Sequence, residues 1–187
     1  MKSIVILASG RGSNAARIID YFDDLPTIQV KALISDRKES GALQMASSKG
    51  VPGHYFPIND IKSGALNNFL KELKPDLIVL AGFLRMIPQE IILAFPEAII
   101  NVHPSLLPRH GGRGMYGNHV HAAVLAAQEK ESGITIHYVN EEYDKGRIIA
   151  QFHCPVHSDD TSEQLAARVL ALEHRYLSVV IHAILSL

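Results

Sequence analysis

A single cysteine, Cys154, stands among the 187 residues. One thiol forms no internal disulfide, which excludes a disulfide-stapled scaffold and makes a reducing compartment the default. Neither sign of charge is in excess: acidic and basic residues nearly cancel, leaving a net charge of −1. No basic excess points to nucleic acid and no charge block to a tail, so small polar or anionic metabolites are the open class of partner. No apolar stretch reaches the roughly 18 residues of a membrane span. The opening "MKSIVILASGRGSN" lacks the longer apolar core and small-residue cleavage site of a secretory leader, and runs instead into a glycine loop. The expected address is the cytoplasm. Repeats, low-complexity tracts and clear linkers are missing too, so one domain over 1–187 is expected.

Apolar residues are 47% of the chain, enough for a sizeable core. Their arrangement alternates. "SIVILAS" reads as a buried strand and "NAARIIDYFDD" as a helix behind it. "IQVKALISD" and "SGALQMASSKG" repeat the pattern, followed by a short strand "GHYFPI" and a helix "ALNNFLKELKP". "DLIVLAGF", "PQEIILAF" and "EAIINVH" give strand, helix and strand again. Continuously apolar strands separated by helices predict a parallel α/β sheet, twisted and covered by helices on both faces. The rhythm changes after His103. A loop rich in glycine and proline leads to a helix "HVHAAVLAAQEK", then "GITIHYV" and "RIIAQFHCPV" joined by "NEEYDKG". So short a connection predicts an antiparallel C-terminal strand pair. The remainder, capped at Thr161, has the apolar spacing of a long helix.

"ASGRGSNAA" lies between the first strand and the first helix. Gly10 and Gly12 allow a tight turn and close approach of a ligand, and the helix start offers N–H groups to an anion. Three readings stand side by side. Gly10-x-Gly12-x-x-Ala15 fits the relaxed dinucleotide fingerprint, with Asp36 as the ribose-binding acid. Gly12, Ser13 and Asn14 also suit a terminal phosphate. A turn that only packs helix on strand is the plain alternative.

In a parallel sheet, ligands bind beyond the carboxyl ends of the strands. Asn101 and His103 close the fifth strand, and residues two apart in a strand point the same way. An amide beside an imidazole suits attack on a carbonyl: one holds an oxyanion, the other moves a proton. The plain alternative is a polar cap on a strand end. Asp144 in "NEEYDKG" belongs either to an ordinary turn or to a carboxylate that orients His103. His110, His119 and His121 follow closely, but residues 119 and 121 of a helix do not share a face, and no cysteine joins them as a metal ligand. Glu173 and His174 read from spacing alone as a solvated helix edge.

Taken in order, "GRGSN", "LAGFLRMI", "INVHPSLLP", "GITIHYVNEEYDKG" and "LEHRYL" resemble the folate-dependent phosphoribosylglycinamide formyltransferase family, over about Met1 to Ser178. The resemblance implies the formyltransferase fold, with a nucleotide-phosphate-binding Rossmann-like half over 1–103 and a 104–187 half completing the folate site. It implies a catalytic trio of Asn101, His103 and Asp144. It implies that Gly12, Ser13 and Asn14 grip the ribonucleotide phosphate, and that Glu173 contacts the ribonucleotide. Leu84, Arg85, Met86 and Ile87 would line one side of the folate pterin, and Asn140, Glu141, Glu142, Tyr143 and Asp144 the other, with Asn101 also touching folate. It gives Asp36 no role. An arginine common near the folate tail is replaced here around Gly64, with Lys62 as the neighbouring cation.

The activity implied is formyl transfer from 10-formyltetrahydrofolate to the amine of glycinamide ribonucleotide in de novo purine synthesis, with no metal, by a monomer or homodimer that binds neither nucleic acid nor membrane. A cationic His103 held by Asp144 would share the oxyanion with Asn101. The rivals are a related folate-dependent formyltransferase or formyltetrahydrofolate hydrolase, and a nicotinamide-dependent dehydrogenase. The segment "RHGGRGMYGNHVH" exceeds the family's usual loop. Its glycines predict a mobile lid carrying Met115 and Tyr116, or else a surface excursion or subunit contact.

Overall fold

Apolar runs that alternate with helical segments become strands buried on both faces. In the computed structural model, which describes residues 1–187, β1 (Lys2–Leu7) leaves Ile4, Val5, Ile6 and Leu7 with no exposed surface. A strand can be apolar at every position only if both its faces are covered. The chain continues through α1 (Ser13–Asp23), β2 (Ile28–Ser35), α2 (Gly41–Ser48), β3 (Gly53–Tyr55), α3 (Ile58–Lys62), α4 (Ala65–Leu73), β4 (Leu77–Leu80), α5 (Gln89–Ala94) and β5 (Ile99–His103). Then follow α6 (Asn118–Ala126), β6 (Glu131–Tyr138), β7 (Ile148–Pro155) and α7 (Ser162–Leu185). The seven strands are ordered β3-β2-β1-β4-β5-β6-β7. The pairs β1·β2, β1·β4 and β2·β3 are parallel, and β6·β7 is antiparallel. The expected mostly parallel α/β sheet with an antiparallel C-terminal pair is therefore the fold observed.

The chain divides into two compact units: Met1–Ile100 with Ile181–Leu187, and Asn101–Val180. In the first, strand order runs outward from β1 to β3 and then returns to β4 on the other side. Right-handed crossovers make α1 and α2 cover one face and α4 and α5 the other. Accordingly α1 packs on α2 and both pack on β2, while α4 packs on α3 and α5. The reversal between β1 and β4 makes a topological switch point, where the loops that leave the two strands diverge. Deep side chains such as Ile6 and Leu33 hold this unit together; truncating either to alanine costs about 2–5 kcal/mol.

In the second unit β6 starts two residues earlier than its apolar run, because Glu131 and Ser132 pair with Pro155 and Cys154. Cys154 is 7% exposed, and burial pushes its thiol above the ordinary value. The long helix opens with a reciprocal cap at Thr161. Its Oγ1 accepts from Gln164 N–H at 3.2 Å while its own N–H donates to Gln164 Oε1 at 2.8 Å. One helix had no counterpart in the sequence pattern. The five residues of α3 follow Pro57, too few for periodicity to show. Helix α6 stops at Ala126, short of the apolar spacing, as Gln128 enters the left-handed region.

Candidate active site

His103 ends β5 and Pro104 turns the chain away. The loop that follows is anchored by one hydroxyl. Thr135 Oγ1 on β6 donates to the Ser105 carbonyl at 2.7 Å and accepts from Leu107 N–H at 3.0 Å and Gln151 Nε2 at 2.9 Å. One donor and both lone pairs are thus used, as a fully buried hydroxyl requires. Across from it, the β6–β7 connection brings Asp144 back. Asp144 adopts φ +55°, a left-handed conformation that aspartate tolerates better than most residues. Gly146 is needed for a different reason: a Cβ there would overlap the Tyr138 carbonyl.

These two turns bring Asn101, His103 and Asp144 together with a fourth side chain, His137 of β6. Asp144 Oδ2 lies 3.4 Å from His103 Nδ1 and accepts from Gly112 N–H at 2.8 Å. Its Oδ1 lies 3.7 Å from His137 Nε2. Asn101 Nδ2 is 3.2 Å from that same Nε2, while His137 Nδ1 donates to the Tyr138 carbonyl at 2.9 Å. With its proton on Nδ1, His137 accepts from the Asn101 amide and fixes which end of that amide is the donor. His103 Nε2 is 2.9 Å from the His110 carbonyl, and so carries a proton. His137 was missed in the sequence; its only signal there was a titratable residue inside the apolar run "GITIHYV".

Burial pushes His103 below the ordinary imidazole value of 6.5, outweighing the upward pull of Asp144 and of the His110 carbonyl. Burial would also raise Asp144, but His137, His103 and the Gly112 N–H together hold its carboxyl below 3.8. At neutral pH the pair is a carboxylate facing a neutral imidazole. This resting state differs from the cationic His103 that the resemblance implies: His103 is 3% exposed, and burial disfavours a charge on it in the free protein. His121 is also buried and held low, by desolvation first and then by His103. No group of three or more histidine, cysteine, aspartate or glutamate side chains converges as a metal site would.

The remaining expected residues of this unit lie as follows. Asn140 Oδ1 accepts from Glu142 N–H at 3.1 Å, shaping a turn in which Asn140, Glu141, Glu142 and Tyr143 are exposed. Glu173 on α7 is only 8% exposed, which corrects its reading as a solvated edge. The glycine-rich segment is not featureless: Gly112 is tied to Asp144, and the Tyr116 ring meets His119 edge-on.

In the first unit, Gly12 precedes α1 at φ +82°, and a Cβ there would come within 2.8 Å of Ala42 Cα. The helix opens with no side-chain cap, so its first N–H groups point out of the helix end. Ser13 is exposed and Asn14 buried. At the switch point, Ser9 N–H donates to the Gly82 carbonyl at 3.1 Å, and Ser9 Oγ accepts from Leu84 N–H at 2.9 Å. Leu84 and Met86 are 42% and 50% exposed, while Ile87 turns into the core at 4%. Arg85 Nε donates to Asp36 Oδ2 at 2.7 Å. The Asp36 side chain is 1% exposed, so its carboxylate is buried against Arg85 rather than presented to a ribose. Gly64 has a local reason of its own, starting α4 at φ +86°.

A mostly parallel sheet with a glycine loop after β1, and an Asn–His strand end met by an aspartate hairpin, define the class: an α/β protein with a polar cluster at a strand end. The chain belongs to the formyl transferase family, whose model matches residues 2–181. It is 41% identical over 190 residues to the chloroplastic phosphoribosylglycinamide formyltransferase of Arabidopsis thaliana, covering 98% of this chain and 65% of that protein. The chain thus spans just under two thirds of that relative's length. It is 32% identical to the phosphoribosylglycinamide formyltransferase of Haemophilus influenzae, covering 97% of this chain and 86% of that one. The crystal structure of the Brucella melitensis phosphoribosylglycinamide formyltransferase superposes with a TM-score of 0.88 at 36% identity, covering 98% of this chain and 95% of the other.

Proposed function

We propose that the protein transfers a formyl group from 10-formyltetrahydrofolate to the primary amine of glycinamide ribonucleotide, a step of de novo purine synthesis. The observation that carries the proposal is the cluster of Asn101, His103 and Asp144, completed by His137. The substrate amine attacks the formyl carbon, and the carbonyl electron pair moves onto oxygen. An amide has two N–H donors; one of Asn101's engages His137, and the other serves the oxyanion. His103 enters neutral. Its Nδ1, beside Asp144, takes a proton from the attacking nitrogen, and the resulting imidazolium is held by the carboxylate. The carbon–N10 bond then breaks and N10 receives that proton. One N–H is lost and one is gained, so no metal or redox partner is required.

Gly12, Ser13 and Asn14 bind the ribonucleotide phosphate at the start of α1, where N–H groups and the helix dipole favour an anion. Glu173 contacts the ribonucleotide. Leu84, Arg85, Met86 and Ile87 bind the folate pterin, as do Asn140, Glu141, Glu142, Tyr143 and Asp144, and Asn101 touches folate as well. In this reading residues 1–187 work as one formyltransferase domain, with 1–103 binding phosphate and 104–187 completing the folate site. The protein acts in the cytoplasm as a monomer or homodimer, without nucleic acid or membrane as partner; no helix is long and apolar enough to cross a membrane. The test is to incubate it with 10-formyltetrahydrofolate with and without glycinamide ribonucleotide. Deformylation only with the ribonucleotide is expected. Deformylation without it would mean a hydrolase, and none in either arm would reject the proposal.

A further inference from the structure

The second unit contains a charged cluster that the mechanism above does not use, and its target is the backbone that meets His103. The His110 carbonyl accepts from His103 Nε2 at 2.9 Å. Ser105 Oγ, fully buried, donates to the Arg109 carbonyl at 2.8 Å and leans toward that of His110 at 3.4 Å. His110 itself sits at φ +55°, a conformation costly for histidine unless its surroundings impose it. Glu129 does so. Its Oε2 accepts from Arg109 at 2.7 Å and its Oε1 faces His110 Nε2 at 3.2 Å, so one carboxylate grips both consecutive side chains. Glu129 is fixed in turn by its N–H to the Val124 carbonyl at 3.3 Å, just past the end of α6. Glu131 supports the grip from β6, lying 3.6 Å from Arg109 and 3.1 Å from His153.

We propose that Glu129 is a positioning residue for His103, holding the His110 carbonyl against Nε2 so that Nδ1 is the nitrogen left to exchange a proton beside Asp144. A neutral imidazole has one N–H and one lone pair. If the carbonyl drifts, the proton can move to Nδ1, where Asp144 would welcome it, and the basic nitrogen then faces away from the carboxylate. Glu129 therefore selects the tautomer through two side chains and a peptide group, without touching the imidazole. The inference rests on His103 acting in formyl transfer, but its primary readout does not.

The experiment is nitrogen-15 NMR of the histidine rings in the free protein, at a pH where His103 is neutral, for the wild type, Glu129→Ala and Glu129→Gln. The wild type should show His103 with a protonated Nε2 and a bare Nδ1. In Glu129→Ala the two signals should move toward each other as the tautomers mix. Turnover should fall about tenfold, as part of the rate that a placed proton carrier supplies, with both KM values held within about twofold. Glu129→Gln, which keeps one acceptor, should lie between, and it carries the test if the alanine variant does not fold. An unchanged His103 signature in a folded variant overturns the proposal whatever turnover does. Unchanged turnover with mixed tautomers also overturns it, because the tautomer would then not matter. A mixed signature in the variant, together with no formyl transfer by the wild type, would leave the positioning intact and reject the function.

Discussion

The two units present chemistry by different means. In the first, the groups offered are mostly backbone: the opening N–H groups of α1, the turn at Gly12, and a strip whose Leu84 is hung on Ser9. In the second they are side chains, buried and mutually bonded: Asn101 on His137, His103 on a carbonyl, Asp144 on Gly112. Backbone donors need no particular side chain, only a loop that lets them point outward. Buried side chains tune one another, because desolvation lowers an imidazole's pKa against the upward pull of a neighbouring carboxylate. On the proposed function, binding and catalysis draw on different physical resources, and substitutions should separate them.

The largest effect should come from the second unit. His103→Ala is expected to lower turnover by roughly 10²–10⁴-fold with little change in folate affinity, measured by steady-state kinetics and ligand titration. Asn101→Ala should follow at roughly 10²–10³-fold, since one oxyanion donor is lost while His103 remains. Wild-type turnover in either variant would erase the contrast between the units. Gly12→Ala should act in the opposite sense. Its strain of about 1–3 kcal/mol and its clash with Ala42 should lower the urea midpoint and raise the KM for ribonucleotide, leaving kcat nearly intact. A fall in kcat alone would show that the glycine loop does more than bind.

The smallest effect concerns pH. His103 and His121 are both held below 6.5 in the fold, so the unfolded chain binds more protons as pH drops through that value. Stability should therefore decline from 6.5 down to their lowered values, and Asp144 adds a further loss as pH falls through its depressed value below 3.8. Urea unfolding at about pH 7.5 and about pH 5.5 should give the lower midpoint at the lower pH. A higher midpoint in acid would mean that the folded chain, not the unfolded one, binds more protons in this range.

The same contrast governs what a reader of the sequence can find. The sheet was legible because buried parallel strands are apolar at every position, as in "SIVIL", and because "NEEYDKG" is too short for anything but a hairpin. The glycine loop was legible because its chemistry is local. Asn101 and His103 could be paired through the two-residue repeat of a strand, but Asp144 could be joined to them only by resemblance, since no local rule spans the 41 residues from His103. His137 was hidden because a polar residue on a buried strand has the same spacing as its apolar neighbours. Glu173 looked solvated because helical periodicity says nothing of what covers the polar face. Asp36 occupied the right place for a ribose acid, and only the fold revealed Arg85 against it. Glu129 lies beyond the end of a helix, where sequence pattern is weakest.

The lone buried thiol of β7 makes the molecule its own gauge of opening. Cys154 is shielded and its thiolate disfavoured, so an alkylating reagent can reach it only when the strand comes away. Labelling then runs at the reagent's intrinsic rate multiplied by the fraction of time spent open. Because β7 ends the order of strands, two openings compete: peeling of the border strand and collapse of the whole chain. They differ in how steeply labelling accelerates with urea, since the first exposes little surface and the second nearly all of it. A single native thiol thus lets the opening equilibrium of the folded state be read in the purified protein, without a fluorophore and without knowledge of the reaction.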